Sequence, residues 1–235
     1  MSAVVETTRI PVTAAVERAA LRAELGALRQ KFLLLTRVRV FGRAREEEKL
    51  RVYEYDHGLV REGGSMALEV FRWDDVRTVT YSRTPHFQSG RYTGTTFVYR
   101  FTRRDGVSFF IEGSFIDPKH AKRAAPTPAN QHQRWAELGE SAARQVAAAQ
   151  LQSARSALTI GDRLSFGDIA ISLRGVHTER YGIVPWTRVV RVEVREGQPY
   201  LRLVDKSVSL SARMVSRIPN FVLLTDLVDS LAKPG

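Results

Sequence analysis

Five histidines, His57, His86, His120, His132 and His177, are the residues of this chain best suited to acid–base or metal chemistry. Their spacing serves neither. No two stand in the His-x-x-x-His or His-Glu-x-x-His relation that puts two imidazoles on one helical face. His57 and His177 fall in related parts of two repeated stretches, which reads as a turn role. The carboxylate runs Asp74-Asp75 and Glu46-Glu47-Glu48 are neighbours in sequence, in segments that read as solvated loops. Catalytic carboxyls need burial or an enforced pair to shift their pKa. No Gly-x-Ser-x-Gly elbow, Walker loop or Gly-x-Gly-x-x-Gly fingerprint occurs. Gly63-Gly64-Ser65 lies between two strand patterns and lacks the helix that a phosphate cradle needs. The chain has no cysteine, which excludes disulfides, thiolate catalysis and Cys-ligated metals. The expectation is a protein that is not an enzyme, with no catalytic residue, metal or cofactor.

Binding is the remaining class. The 235 residues carry a formal net charge of +11, of which residues 1–50 supply +4 (ten Lys/Arg against six Asp/Glu). A basic surface suits an acidic protein, an anionic lipid or a nucleic acid. Arg37, Arg39, Arg43 and Arg45 form the first candidate cluster, because guanidinium groups contact phosphate in bidentate fashion. Glu46, Glu47 and Glu48 follow at once and oppose an anionic membrane. A second candidate is a hairpin tip with Arg83, His86, Arg91 and Tyr92, joined by Arg103 and Arg104, since Tyr and Arg are favoured at protein interfaces. An aromatic-interleaved basic face of the kind used by single-strand binders is missing.

The elements that position these residues follow from periodicity. Residues 1–12 read as a loose tail. Thr13 caps an amphipathic helix with Val16, Ala20, Leu21, Leu25 and Leu28 on one side. From Lys31 the pattern turns to strands: Phe32–Leu35 into Val38–Phe41, a polar turn from Gly42 to Glu48, then Leu50–Tyr55, Leu59-Val60, Met66–Phe71, Val76–Tyr81, a hairpin tip from Arg83 to Thr95, Phe97–Phe101 and Val107–Ile111. Pro118, Pro126 and Pro128 mark an exposed loop over 117–130. A helix over 131–157 follows, with Trp135, Leu138, Ala142, Val146, Ala149 and Leu151 on its apolar side. Short strands fill 164–210, and Pro219-Asn220 opens a final helix over 221–232.

One unit occurs twice. Gly58-Leu59-Val60 leads to Trp73-Asp74-Asp75-Val76, and Gly175-Val176-His177 leads to Trp186-Thr187-Arg188-Val189. Each copy precedes strands and one C-terminal helix. The expected fold class is α+β: two pleckstrin-homology-like bent antiparallel β-barrels, each closed by a C-terminal helix, plus an N-terminal helix. The division is 1–30 for the tail and first helix, 31–157 for the first module and 158–235 for the second. Trp73 and Trp186 are expected in the two cores.

The chain resembles an uncharacterised, mainly actinobacterial family of unknown function with tandem pleckstrin-homology-like repeats. The resemblance rests on Glu24–Arg29, Tyr53–Val60, Phe71–Val76, Tyr99–Gly106, Leu164–Gly175, Pro185-Trp186 and Arg217–Phe221. It implies the fold and no activity, and the 117–130 insert is longer than its pattern. The functional expectation is a non-catalytic scaffold that docks a protein partner or, weakly, an anionic membrane surface. A nucleic-acid-binding protein and an enzyme of unknown class are the alternatives. No secretory leader and no run near the roughly 18 apolar residues of a membrane span is present, so the expected site is the cytoplasm, with peripheral attachment at the inner face of the membrane left open.

Overall fold

The structure, a computed structural model, describes residues 2–6, 10–40, 43–63, 66–117, 119–120 and 129–232. Among these residues the chain is α+β, with three helices and four antiparallel sheets. The first sheet has the order β1 (Ser2–Glu6), β2 (Leu28–Val40), β3 (Arg43–Tyr55), β4 (Gly58–Gly63), β5 (Met66–Arg72). The second joins β6 (Val76–Gln88), β7 (Arg91–Arg103) and β8 (Ser108–Phe115). In the other half, β9 (Leu164–Phe166), β10 (Ile169–Ser172), β11 (Gly175–Thr178) and β12 (Gly182–Val184) make a four-stranded sheet. A last sheet holds β13 (Val189–Arg195), β14 (Gln198–Leu203) and β15 (Ser207–Ser209).

Among the described residues no sheet closes on itself, so the expected barrels are not formed by strand pairing. The helix α2 (Ala129–Thr159) contacts both β1 and β8, edge strands of the two sheets of the first half. Side chains rather than a backbone ladder therefore fill that corner. Trp135, Leu138, Ala142 and Val146 of α2 join Phe32, Phe71, Phe101 and Phe109 in one core. Ala147, Ala154 and Leu158 of the same helix enter the second core, with Phe166, Ile171, Leu201 and Leu224. A helix of 31 residues spans about 46 Å, enough to serve both halves.

Both repeated glycines are explained by close approach. A Cβ on Gly58 would meet the Phe71 carbonyl oxygen at 2.3 Å, and one on Gly175 would meet the Val184 oxygen at 2.1 Å. In each case that carbonyl stands two residues before the tryptophan, where the chain passes from one sheet to the next. The tryptophans then differ. Trp73 is 4% exposed and its indole Nε1 has no hydrogen-bond partner. Trp186, expected in the core, is half-buried at the start of a 3-10 turn, and its Nε1 donates to Ser172 O at 2.9 Å.

The N-terminal third departs from expectation. Residues 2–6 are a strand, paired antiparallel with β2 from Ser2↔Thr36 to Glu6↔Phe32. The run Phe32–Leu35 leading into the alternating Val38–Phe41 showed β2 but gave no sign of which segment pairs with its far edge. The helix α1 (Ala14–Arg22) is capped by Thr13, whose Oγ1 accepts from Val16 N at 3.3 Å. It stops earlier than its apolar spacing implied: Glu24 and Gly26 have φ of 52° and 81°, which turns the chain into β2, and Leu21 is left 79% exposed. α1 lies on the outer face of the first sheet, where Val16, Ala20 and Leu25 meet Tyr53, Tyr55 and Val60.

The two halves are joined by α3 (Phe221–Leu231) as well as by α2. Asn220, at φ 52°, clasps the β6 edge. Its N–H donates to Val79 O at 2.8 Å, its Oδ1 accepts from Val79 N at 2.7 Å, and its Nδ2 donates to Arg77 O at 2.9 Å. These bonds satisfy an edge that would otherwise be open. The seam beside it, between α2, β6 and α3, encloses only ≈ 10 Å³.

Candidate binding surfaces

Two places on the first half combine exposure or space with a built arrangement of polar groups. The first comes from the alternation of β3. Val52 points to the central core, and Tyr53 and Tyr55 point the other way, under α1. Glu54, two residues from Val52, shares its inward face. Its residue is 4% exposed. Burial pushes the Glu54 carboxyl above its ordinary value, and the nearby Arg29 guanidinium offsets that only in part. Glu54 opens onto a groove of ≈ 500 Å³ between the sheet and α2, lined by Arg29, Gln30, Arg134, Glu137, Leu138, Ser141 and Arg144. Arg29 is oriented by Asp56, which accepts from its Nε at 2.6 Å. That bond and a second from Ala27 N hold the Asp56 carboxyl below its usual range. Sequence reading passed over this site. The signal was a carboxylate in register with Leu50 and Val52 on a core-facing stripe.

The second place is the far end of the β6–β7 hairpin. The expected tip from Arg83 to Thr95 is mostly strand: pairing runs out to Gln88↔Arg91, and Ser89 and Gly90, at φ 49° and 74°, make the turn. β8 accompanies β7 only as far as Thr95↔Phe115, so the last part is a two-stranded arm. Arg83 and Tyr92 are brought together here. Arg83 Nη2 donates to Asp117 Oδ2 at 2.7 Å, and its guanidinium lies 4.9 Å from the Phe115 ring centroid. Tyr92 Oη pairs with Thr95 Oγ1 at 2.7 Å and accepts from Asp117 N at 2.8 Å. Desolvation pulls the Asp117 carboxyl up, but the Lys119 N–H and Arg83 outweigh it and hold the group below its usual value. Phe87 is 58% exposed, with Tyr92 at 5.8 Å and His120 at 6.2 Å between ring centroids. Arg91 is exposed beside them.

The other candidates do not join this cluster. Arg103 and Arg104 sit at the opposite end of β7, roughly 40 Å along the strand from Arg91. Arg103 is spent on structure: it grips Asp105 through Nε and Nη2, donates to Val70 O at 2.7 Å and lies over Phe71. Arg104 reaches Asp74 O at 3.4 Å. The backbones of Arg37, Arg39, Arg43 and Arg45 lie in the β2–β3 hairpin, where Arg37 stands opposite Glu46 and Val38 opposite Arg45; their side chains fall outside the described residues. The supposed polar turn is thus strand from Arg43 onward, and Glu46–Glu48 belong to it. Much of the 117–130 insert, including Pro118 and Pro126, is outside the described residues too.

His57, His86 and His177 lie on separate elements. His57 is exposed in the β3–β4 turn, and His86 Nε2 meets Thr96 Oγ1 at 2.8 Å. His177 lies within β11, not in a turn, and bonds Ser172 Oγ at 2.7 Å. Burial, with Arg163 and Arg174 nearby, lowers its pKa. Among the described residues no group of three or more His, Asp or Glu could hold a metal ion, and no helix is long and apolar enough to cross a membrane.

Residues 127–234 match the model of a family of unknown function (DUF6585). The match takes in α2 and the whole of the second half as far as α3. The segments of the first half on which the resemblance also rested lie outside that range. No curated protein and no solved structure matches the chain.

Proposed function

We propose that the chain is a non-catalytic binding protein of two pleckstrin-homology-like modules, which docks a protein partner through the β6–β7 arm. Strand order supports the module reading: four strands, then three, then a helix in the second half, and the same plan with one added N-terminal strand in the first. The observation that carries the docking reading is Phe87, a large exposed aromatic on an arm whose base is fixed by Arg83, Tyr92 and Asp117. Aromatic anchors on a rigid support are efficient at interfaces, because little conformational entropy is lost on docking. An anionic membrane is the weaker partner for this chain, since the β2–β3 register puts Glu46, Glu47 and Glu48 opposite Arg37, Thr36 and Leu35.

A photo-reactive phenylalanine analogue at position 87, introduced in the cells that make the protein, tests this. The expected outcome is a discrete protein adduct at 87 and none when the analogue replaces Ile160, which is still more exposed. Equal labelling at both positions, or adducts to lipid alone, would count against it.

A further inference from the structure

Strand pairing assembles the aromatic-interleaved basic face that no single stretch of sequence shows. Across β13, β14 and β15, Val192, Leu201 and Val208 stand level and pack into the second core. Residues one place away point outward. Arg191, Arg202 and Ser207 form one outward row, Glu193, Tyr200 and Ser209 the next, and Arg195 and Gln198 the last. The three guanidiniums gather around two acceptors. Arg191 Nη2 donates to Glu193 Oε1 at 2.8 Å, and Arg195 Nη2 donates to Glu193 Oε2 at 2.6 Å. Arg195 Nη2 and Arg202 Nη1 lie 3.2 Å and 3.5 Å from Ser207 Oγ. Among the described residues Glu193 is the one carboxylate paired within this cluster, and Arg202 has no acidic partner. At the strand ends Arg188 pairs with Asp205, and Lys206 balances Glu196. Three guanidiniums against one carboxylate leave the face two positive charges in excess. Arg191 and Arg202 are also direct cross-strand partners, and like charges so placed destabilise a sheet until an anion joins them.

We propose that this face binds single-stranded nucleic acid, with phosphates on Arg191, Arg195 and Arg202 and a base against Tyr200. The Arg191 and Arg195 side chains are 63% and 55% exposed, so the face is open, and a lone small anion would keep much of its water. Linked phosphates engage several guanidiniums at once. Tyr200 is half-buried, and the Arg195 guanidinium lies 5.3 Å from its ring centroid. Ring and guanidinium offer bases flat surfaces for stacking. An acidic peptide or an anionic membrane would use the charge and leave those surfaces without a planar partner.

Fluorescence anisotropy of the full chain with a short labelled oligothymidylate at about 50 mM salt tests the proposal. Binding is expected, and Arg202→Gln should weaken it about tenfold, the effect of losing one charge-assisted contact. The same change should lower the slope of log affinity against log salt by about 0.7, the value for one phosphate on a single strand. Tyr200→Leu should weaken binding about tenfold and leave that slope unchanged, because stacking releases no counterion. Arg18→Gln on α1 makes an equal change in net charge and should have no effect. Arg202 is exposed and Tyr200 half-buried, so the variants are expected to fold, and their melting curves verify it. No binding, full affinity in Tyr200→Leu, or equal losses in Arg202→Gln and Arg18→Gln would overturn the proposal. So would displacement of the oligonucleotide by polyglutamate or phosphatidylserine vesicles at matched charge, which would make the face a site for an acidic protein or a membrane.

Discussion

The two halves of the molecule follow a similar strand order, and two of their differences bear on the candidate binding surfaces. The hairpin register aligns them without ambiguity. Tyr55 pairs with Gly58 and Ser172 with Gly175, so Glu54 corresponds to Ile171. Ile171 is fully buried in the second core, whereas the first half holds a carboxylate at that point. The second difference is the hairpin that follows the tryptophan. β13 and β14 are 7 and 6 residues long and turn at Glu196-Gly197, whereas β6 and β7 each have 13 residues. What the halves share, the glycine under a carbonyl and the Trp-x-x-Val step, is architecture. Of what they do not share, the long arm with Phe87 is where protein docking is proposed. Packing alone explains Ile171, while Glu54 imposes a desolvation cost that an apolar residue would avoid.

Substitutions that break the shared plan should have the largest effects. Trp73→Ala removes a nearly fully buried indole and should lower stability by about 3–5 kcal/mol in chemical denaturation. Trp186→Ala, at a half-buried site, should cost less, about 2 kcal/mol including its bond to Ser172. Equal losses would show that the two tryptophans carry equal weight and that the difference in burial is unimportant. Trp→Phe sharpens the point: the change at 186 strands Ser172 O, whereas at 73 it removes an indole donor that has no partner.

Asn220→Ala comes next. It deletes both side-chain bonds to β6 and should cost about 1–3 kcal/mol. Hydrogen exchange of the Val79 amide should rise with it. If the halves were independent, that amide would be unaffected.

The smallest effect should be a gain. Glu54→Ile gives the first half the residue of the second and should raise stability by about 1 kcal/mol at pH 7. The sign follows from the raised pKa of Glu54: its ionised form is disfavoured in the folded state, so wild-type stability is greater in acid and falls as pH rises through the folded-state pKa. Arg29 from β2 and Arg134, Glu137 and Arg144 from α2 line the groove with it. The advantage of Glu54→Ile should therefore shrink as pH is lowered below the ordinary glutamate range. An advantage that is constant with pH would mean that Glu54 stays ionised with a compensating partner.

Much of this plan was legible in the chain. Period-two alternation gave most strands of both halves, and Thr13 and Asn220 marked helix starts. The α+β class followed from that. The failures have physical reasons. Strand β1 carries no pattern of its own; it exists because β2 offers an edge. The exposed run from Arg83 to Gln88 looked like a loop because an arm solvated on both faces has no apolar period. Arg103 looked available because a sequence does not show that Asp105, two residues on, and Val70 O, across the molecule, occupy it. Glu54 was passed over for the opposite reason, since a charge in a strand usually lies on the solvent face, and its neighbours Tyr53 and Tyr55 hid the fact that β3 is covered on both sides.

The central claim, that protein docking belongs to a feature of the first half that the second lacks, is tested most directly by trimming the arm. Replacing residues 86–94 with the two-residue Glu-Gly turn of β13–β14 joins the paired Pro85 and Thr95 and leaves the Gly58 and Trp73 framework and the Asn220 clasp in place. The partner identified by cross-linking at position 87 is then titrated against the trimmed chain. The account predicts a melting temperature close to that of the wild type and loss of the complex. Unchanged affinity in the trimmed chain would contradict it.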